Sequence, residues 1–429
     1  MGYIIMKELK KNFQSIFEVE DFIPMRKKNK ADDDLVNIPA VKSSIPQING
    51  RMRLFIGKGN LVVQKLEKER PNITVAVKEI PIKAGDRVLI LEAGDGGIGL
   101  VMAAVHPQAK FFLYNSDVSM ERLSERNIEA NFVVQNDSHI ITAAGLKRAE
   151  IEKTFDAVIY CPQVSGSAPS SLDLIRAEVI LGVKVLRPEG KFYLVTRTKS
   201  GASSHQAIME SIFGSNVTVI GRGGGGQRVL MAQGSPWTLM EAPSLKRSVR
   251  FFVCGHEFDL ESEPSLFSKD DLDLGTRILL ENVDLTKFER LLDVGCGWGA
   301  IGIVAATINK EGKVVMVDIH SRATEVANAN VSRMDLGDRI SVVATDDLKN
   351  DVDGDFDLVL SNPPFHANTE QLMNLFGQVR NKLGKKGSFY LVVERTHKQK
   401  LENVLRKEFG NVRVYRPEDR GFLVLVSKK

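Results

Sequence analysis

The stretch that decides the fold runs from Asp293 to Gly302 and reads Asp-Val-Gly-Cys-Gly-Trp-Gly-Ala-Ile-Gly. The apolar pair Leu291-Leu292 precedes it, and the Ala/Ile/Val-rich segment 303–306 follows it. This pattern predicts a strand, a glycine turn and a helix. Glycines suit such a turn because a side chain would keep a ligand away from the backbone. The helix that begins there also points free N–H groups at the ligand.

Two later segments add to this interpretation, since the Gly-x-Gly-x-x-Gly spacing inside the turn also fits a dinucleotide-binding fold. Asp318 follows the apolar segment 314–317, and a carboxylate at that strand end can accept hydrogen bonds from both ribose hydroxyls of an adenosine cofactor. Segment 356–360 predicts a further strand, which leads into Asn362-Pro363-Pro364-Phe365. These polar strand ends are the candidates for a binding site.

The composition indicates a globular protein of two to three domains, since the chain has 429 residues and an ordinary share of charged residues. A net charge of +4 is compatible with a polyanionic partner without requiring one. Cys161, Cys254 and Cys296 lie far apart and match no disulfide or zinc spacing, which predicts no metal and favours the reducing cytoplasm. Segment 1–7 is too short for a secretory signal, and the lack of a long apolar run predicts no membrane span.

Residues 1–50 are predicted to form a charged N-terminal extension. Its basic cluster at 26–30 is followed at once by the acidic run Asp32-Asp33-Asp34. This pattern is typical of a solvated charged arm, and an arm that contacts phosphate groups is the alternative.

The region that follows contains an internal repeat. The segment Arg87–Gly99 aligns without a gap onto Arg290–Gly302, and the same register places 110–115 on 313–318. Three further matches follow with small shifts, namely 155–159 with 356–360, 190–195 with 387–392, and Phe213-Gly214 with Phe409-Gly410. Repeated strand patterns with matching turns predict a tandem duplication of one α/β domain, in residues 51–240 and 241–429.

The two copies differ where a site is expected. The positions of Asp293, Gly295, Asp318 and the tetrad 362–365 carry, in the first copy, Ile90, Glu92, Asn115 and Cys161-Pro162-Gln163-Val164. A glutamate in place of Gly295 would crowd a ligand. The first copy is therefore predicted to be non-catalytic and to serve either in folding support or in holding substrate. Shielding of an apolar face of the second copy is the simplest alternative.

The strand pattern of the second copy predicts its fold. Apolar segments occur at 291–294, 314–317, 340–344, 356–360, 388–393, 412–415 and 422–426. Helical patterns separate the first five, and a short polar turn joins the last two, which are therefore expected to form an antiparallel hairpin. A seven-stranded α/β sheet that ends in such a hairpin is the layout of class I S-adenosylmethionine (SAM)-dependent methyltransferases, which are Rossmann-like. Between the copies, 249–260 predicts a further hairpin, and the second half of 265–280 predicts a helix.

In an open α/β sheet, ligands bind beyond the carboxyl ends of the strands. The glycine turn is predicted to hold the methionine part of SAM, and Asp318 its ribose. Asp347 is predicted to accept from the adenine amino group, a role for which Asp346 competes. The predicted cofactor-binding residues are Asp293, Gly295, Gly297, Gly299, Asp318, Asp347 and Asn362.

The tetrad Asn362-Pro363-Pro364-Phe365 suits methyl transfer to a planar amino nitrogen, whose lone pair is delocalised into a ring. The Asn362 side-chain oxygen and the Pro363 carbonyl can accept its two N–H bonds and stabilise developing positive charge. Pro363 and Pro364 stiffen the loop, and Phe365 can stack on the base. A Pro-Pro turn with a core phenylalanine is the structural alternative.

Three motifs in combination resemble the "methyltransferase small" family: segment 267–276, the turn from Asp293 to Gly299, and the sequence 362–366. The resemblance covers about residues 51–429 and is greatest to the RsmC type of ribosomal RNA guanine-N2 methyltransferase, which also has a degenerate amino-terminal copy. It implies SAM-dependent transfer to the exocyclic N2 of a guanine in structured RNA. It also implies that 267–276 covers the cofactor and helps to shape the substrate pocket. The extra residues at the start depart from that type.

Other substrates and functions stay open at this point. The family also contains transfer RNA enzymes, and a related Asn-Pro-Pro-Tyr form serves adenine N6 and protein glutamine; Phe365 followed by His366 favours guanine. One alternative of another class is a non-catalytic RNA-binding or ribosome-assembly factor, against which the intact tetrad argues. Another is a nicotinamide dehydrogenase, which would not explain the Pro-Pro turn. The sequence leaves the oligomeric state open, and a monomer is compatible with it.

Three further features have two interpretations each. Trp298 either packs over the cofactor or is a core or surface aromatic, and His366 either orients the base or caps a helix. The four glycines 223–226 lie between Arg222 and Arg228 and form either an RNA-contacting loop or a flexible hairpin tip.

Overall fold

The computed structural model describes most of the chain from residue 51 onward. The described residues are 51–55, 61–65, 71–106, 108–130, 140–142, 154–162, 172–214, 217–234, 246–263, 266, 268, 270–363, 369–417 and 421–429. The predicted charged extension 1–50 lies outside them. The chain divides into two compact units, with the boundary between Ser244 and Leu245. In the part of the chain described, no helix is long and apolar enough to cross a membrane.

The first unit contains an antiparallel strand pair and an α/β domain. The paired strands are β1 (Arg51–Phe55) and β2 (Leu61–Lys65). The α/β domain consists of α1 (Pro71–Glu79), β3 (Arg87–Leu91), α2 (Gly97–Val105), β4 (Lys110–Tyr114), α3 (Val118–Ala130), β5 (Ile140–Thr142), β6 (Phe155–Tyr160), α4 (Leu172–Val185), β7 (Leu186–Arg197), α5 (Ala202–Phe213), β8 (Val217–Gly223) and β9 (Gln227–Gln233). Its sheet has the strand order β5-β4-β3-β6-β7-β9-β8.

The second unit opens with the predicted hairpin, formed by β10 (Arg247–Val253) and β11 (His256–Ser262). Positive φ angles at Cys254 (51°) and Gly255 (78°) give its two-residue turn the twist that paired strands require. The elements that follow are α6 (Leu274–Glu281), β12 (Arg290–Val294), α7 (Ala300–Ile308), β13 (Lys313–Asp318), α8 (Ser321–Arg333), β14 (Ile340–Ala344), α9 (Leu348–Asp351), β15 (Phe356–Ser361), α10 (Thr369–Lys382), β16 (Leu383–Glu394), α11 (Lys398–Phe409), β17 (Arg413–Tyr415) and β18 (Phe422–Lys428).

Both sheets follow one topology, which confirms the predicted duplication. The second sheet has the order β14-β13-β12-β15-β16-β18-β17, which repeats the order of the first sheet strand by strand. The first five strands of each sheet are parallel, and the last two form the predicted antiparallel hairpin. Even an irregularity recurs, because the register shifts after Phe155 in one unit and after Phe356 in the other.

The central strands of the second unit are buried on both faces. Leu291 packs into one apolar cluster and Leu292 into another, since successive side chains of a strand point to opposite faces. This explains why these strands appear as continuous apolar runs in the sequence. Trp298 belongs to the first cluster, where its ring centroid lies 5.8 Å from that of Phe251. The core interpretation of Trp298 is therefore the one that holds.

One strand is longer than its sequence pattern predicts. The strand β16 begins at Leu383, whereas the apolar run begins at 388. The residues between them include Lys385 and Lys386, which are exposed, so no apolar alternation marks this part of the strand.

The buried side chain of Asn330, in α8, ties the hairpin of the second unit to this helix and to the glycine turn. Its Oδ1 accepts from the N–H of Glu261 at 2.7 Å, and its Nδ2 donates to the carbonyl oxygens of Glu261 and Trp298, both at 2.8 Å. Three bonds satisfy the whole amide, which fits its complete burial.

Replacing Asn330 with Asp should therefore destabilise the second unit. The substitution puts a carboxylate oxygen opposite two carbonyl oxygens in a buried place, and we expect the free energy of unfolding to fall by about 3 kcal/mol. Urea unfolding followed by circular dichroism measures this. Asn403→Asp, at an exposed position of the same unit, is the matched control and should cost little. Equal effects of the two substitutions would contradict the proposed tie.

Candidate active site

The candidate site lies at the carboxyl ends of β12 and β15, which are neighbours in the second sheet. Val294 is opposite Ser361 in parallel register, and the Ser361 hydroxyl donates to the Val294 carbonyl at 2.8 Å. The next residues along these strands are Gly295 and Asn362. The structure thus brings together the start of the glycine turn and the start of the tetrad.

The glycine turn has a conformation that requires glycine. Gly295, Gly297 and Gly299 have φ angles of 76°, 55° and 94°. A Cβ atom added to Gly295 or Gly297 would meet no other atom within 4 Å, so these residues border open space. Gly302 has a different task, because a Cβ there would collide with the side chain of Met316. It allows the helix α7 to pack closely on β13.

Asp293 is completely buried beneath the turn. Its Oδ2 accepts from the N–H of Gly302 at 3.0 Å, and its Oδ1 has no hydrogen-bond partner. Burial is the main cause that raises the pKa of Asp293 to about 8; the bond from Gly302 lowers the pKa and the charge of the neighbouring Asp318 raises it. A buried carboxyl oxygen without a partner is a group that a donor from a ligand could satisfy.

Asp318 joins the end of β13 to the turn. Its Oδ2 accepts from the N–H of Gly297 and its Oδ1 from the N–H of His320, both at 2.9 Å. Each carboxylate oxygen keeps a further lone pair, and the residue is only partly buried. Asp318 can therefore accept two more hydrogen bonds from a ligand beside the glycine turn.

Asp347 has a structural role that the sequence did not show. It is the N-cap of the short helix α9, and its carboxylate accepts from the backbone N–H of Asn350 at 3.2 Å and from Asn350 Nδ2 at 2.6 Å. The contact with adenine stays a prediction. Thr345, which sequence reasoning missed, links this loop to the site, since its N–H donates to the Asp318 carbonyl at 2.9 Å. A Thr one residue before the acidic pair was the available signal.

Asn362 is held by two residues from the start of α6. Its Nδ2 donates to Asp273 Oδ2 at 2.8 Å and to Thr276 Oγ1 at 2.9 Å. Asp273 is also the N-cap of α6, because the same oxygen accepts from the N–H of Thr276 at 2.9 Å. A carboxylate only accepts, so the amide must present its NH2 group to Asp273. Its Oδ1 is consequently turned away from these partners and is available as an acceptor.

The remainder of the tetrad is only partly described. Pro363 is buried directly after Asn362. Pro364, Phe365 and His366 lie outside the described residues, so base stacking by Phe365 stays a prediction. Sequence reasoning placed Asp273 and Thr276 in a segment near the site, but it missed their contact with Asn362. The Asp-x-x-Thr spacing at a helix start was the signal for the cap alone.

The first unit shows the same framework with different side chains at two positions of the site. Glu92 stands at the position of Gly295, has a positive φ of 49°, and accepts from the N–H of Ser116 at 3.3 Å. Asn115 stands at the position of Asp318. Its Oδ1 accepts from the N–H of Gly94 at 2.7 Å, and its Nδ2 donates to the Gly94 carbonyl at 3.2 Å. Both units therefore have the hydrogen bond from the turn N–H to this side chain, but the first unit lacks the carboxylate charge.

The strand order, the terminal hairpin and the glycine turn at the strand ends define the class I methyltransferase fold, here in tandem. The model of the methyltransferase small domain family matches residues 73–225 and 257–426, and the chain belongs to this family. The two matches fall on different units, in agreement with the duplication. Among the residues that the structure describes, no cluster of His, Cys, Asp and Glu could hold a metal ion.

Several curated proteins are similar to this chain. The ribosomal RNA small subunit methyltransferase C of a Haemophilus influenzae strain is 32% identical over 37% of this chain and 48% of its own length. The ribosomal RNA large subunit methyltransferase G of Photobacterium profundum is 31% identical over 41% of this chain and 47% of its own length. The chain thus spans about half the length of these relatives. A small subunit methyltransferase C from Pseudoalteromonas atlantica is 26% identical over 70% of this chain and 82% of its own length.

One solved structure resembles both units. It is the T. thermophilus 16S rRNA N2 G1207 methyltransferase (RsmC) in complex with AdoMet and guanosine. It superposes with a TM-score of 0.66 at 20% identity and covers 88% of this chain and 98% of its own. At 20% identity, this structural similarity shows the fold alone.

The raised pKa of Asp293 predicts how stability depends on pH. The folded-state pKa of about 8 exceeds the unfolded value near 4, so this group favours folding most below pH 4, and that contribution is lost as the pH rises to 8. In the absence of ligand, Asp293→Asn should raise the free energy of unfolding at pH 7 by on the order of 2–4 kcal/mol and flatten its pH dependence.

Urea unfolding between pH 4 and about pH 8 tests this expectation. Asp338→Asn, which removes an exposed carboxylate of the same unit, is the control and should leave the pH dependence unchanged. An Asp293→Asn protein with the pH profile of the wild type would show that Asp293 is ionised in the folded state.

Proposed function

We propose that this chain is a SAM-dependent methyltransferase that modifies the exocyclic N2 amino group of a guanine in structured RNA, with ribosomal RNA as the favoured substrate. The relatives described above are named ribosomal RNA methyltransferases, and the similar solved structure holds AdoMet and guanosine. The observation that carries the proposal is the fixed amide of Asn362 beside an open glycine turn.

The residues of the turn fit SAM. Gly295 and Gly297 leave space next to the backbone, and the partnerless Oδ1 of Asp293 suits a donor from the methionine part. The spare lone pairs of Asp318 suit the two ribose hydroxyls. When bound, SAM supplies a methyl group on a positively charged sulfur, which is an electrophile.

Asn362 and Pro363 are assigned the task of activating the amino nitrogen. The Asn362 Oδ1 and the Pro363 carbonyl each accept a hydrogen bond from one N–H of the base, which takes the nitrogen lone pair out of conjugation with the ring. The new N–C bond would form as the methyl–sulfur bond of SAM breaks, with its electron pair staying on sulfur, and these oxygens would stabilise the positive charge on nitrogen until its proton passes to water. Asp273 and Thr276 fix the amide, so that no rotation is required during the reaction. The charge of Asp273 also polarises the amide and makes Oδ1 a stronger acceptor.

The first unit is assigned a non-catalytic role. It has Ile90 in place of Asp293, and Glu92 occupies the position of Gly295. A cytoplasmic location fits the proposal, since Cys161, Cys254 and Cys296 are all free thiols, as expected in a reducing compartment.

Asn362→Ala should nearly abolish methyl transfer while SAM affinity changes by no more than a few-fold. The substitution removes an acceptor used chiefly in the transition state, and we expect kcat to fall by at least about 100-fold. Transfer of labelled methyl from SAM to RNA measures turnover, and calorimetry measures cofactor affinity. Asn381→Ala, at an exposed position of the same unit, is the control. Turnover close to that of the wild type would reject the role given to Asn362.

Asp318→Asn should weaken SAM binding without unfolding the chain. The first unit shows that asparagine can accept from the N–H of the turn at this position, as Asn115 does from Gly94. The amide then donates to the turn carbonyl instead of accepting from ribose, so we expect a loss of affinity of about 10- to 100-fold. Calorimetry measures the affinity and thermal unfolding the stability. An unchanged SAM affinity would exclude the ribose contact.

A further inference from the structure

The four-glycine turn of the first unit is held in place by neighbouring side chains. Arg197 Nε donates to the Gly225 carbonyl at 2.9 Å, and the Thr198 hydroxyl donates to the Gly226 carbonyl at 3.0 Å. A Cβ on Gly224 would meet no atom within 4 Å, so the outer side of the turn is open. The sequence left two alternatives for this segment, an RNA-contacting loop and a flexible hairpin tip. Because these bonds fix the turn, they favour the first.

Two arginines face each other beside this turn. Arg222 in β8 is opposite Arg228 in β9, on one face of the antiparallel pair. Cβ atoms of such partners lie about 5 Å apart, and like charges there are destabilising. Within the described ranges, neither arginine forms an ion pair with a carboxylate. Arg197 and Lys199, both exposed, bring two more cations to the end of β7.

The second unit provides an internal comparison for this region. The register pairs Thr196 with Arg228 in the first unit and Val393 with Leu423 at the same place in the second. Matching the helix ends Phe213-Gly214 and Phe409-Gly410 places His205 on Leu401. The three second-unit residues, Val393, Leu401 and Leu423, belong to one buried apolar cluster.

The first unit thus has polar residues at positions where the second unit has apolar core residues. The fold itself does not require the polar ones. Thr196 and His205 are buried and satisfy each other, with 2.7 Å between Oγ1 and Nδ1. Burial lowers the pKa of His205, which favours the neutral imidazole. Buried polar groups cost free energy relative to packed apolar ones, and the second unit folds with apolar ones. A ligand that pairs with the arginines would account for this arrangement.

We propose that Arg197, Lys199, Arg222 and Arg228, grouped around the turn 224–226, bind phosphate groups of the substrate RNA backbone. These residues are called the basic turn cluster below. Guanidinium groups match phosphate oxygens in paired hydrogen bonds, and glycines let a backbone approach closely. Contacts to phosphate position an RNA without reading its sequence. The identity of the RNA as substrate rests on the proposed function.

The test is equilibrium binding of a fluorescently labelled RNA stem-loop to the full chain at several salt concentrations, without SAM. Arg222→Gln combined with Arg228→Gln should raise the Kd by about 10-fold and reduce the slope of log Kd against log salt by about 1 to 2, since each lost phosphate contact removes about 0.7–0.9 of slope. Arg228→Leu, which copies Leu423 of the second unit and should therefore fold, should shift both quantities in the same direction.

The control removes the same charge from the opposite edge of the first unit. Lys83→Gln combined with Lys110→Gln changes two exposed lysines at the amino ends of β3 and β4, whereas the cluster lies at the carboxyl end of β7. Thermal unfolding checks that all variants fold. Unchanged RNA binding in the arginine variants, or an equal loss in the lysine control, would overturn the proposal. Equal competition by polyglutamate would overturn its phosphate chemistry.

The outcomes separate this inference from the proposed function. If the wild-type chain binds RNA through the cluster but transfers no methyl group to it, the proposed function fails and the phosphate site stands. If the wild-type chain methylates RNA while the arginine variants bind RNA as tightly as it does, the phosphate site fails and the proposed function stands.

Discussion

The parallel pairing of Val294 with Ser361 is the constraint on which the candidate site depends. Because both strands are buried on both faces, a slip of one residue would turn apolar side chains into the wrong cluster, so the register is firmly set. The Ser361 hydroxyl adds a side-chain bond to the Val294 carbonyl at the last pair. Gly295 and Asn362 directly follow this last pair, so they lie next to each other at the end of the ladder. The site is thus a consequence of where two hydrophobic strands stop.

Sequence reasoning reached the fold and the strand ends because both are local patterns. Apolar runs of a few residues with glycine or polar ends define strands, and repetition of such patterns reveals the duplication. The contact of Asn362 with Asp273 joins residues 89 positions apart, and no local pattern encodes such a distance. Asp347 shows the reverse problem: an acidic residue at a strand end is also a good N-cap, and the sequence alone does not separate the two uses.

The two units together distinguish framework from site. Gly99 and Gly302 occupy the same place, and each leaves room for one large side chain, Leu113 or Met316. Helix–strand packing therefore requires glycine at this position in both units. Asp293 and Gly295 are present only in the unit with the open turn. The basic turn cluster differs in the other direction, since Arg228 of the first unit stands where the second unit has Leu423. Each unit has therefore kept the common scaffold and specialised a different edge of it.

The match between Asn115 and Asp318 has a consequence for how such duplicated chains change over generations. Codons for asparagine and aspartate differ by a single nucleotide, and either side chain accepts the same bond from the turn backbone. An exchange between these two residues at this position therefore changes the charge of the strand end with little effect on folding. A duplicated unit can therefore change the charge at this strand end in a single mutational step while its fold stays intact.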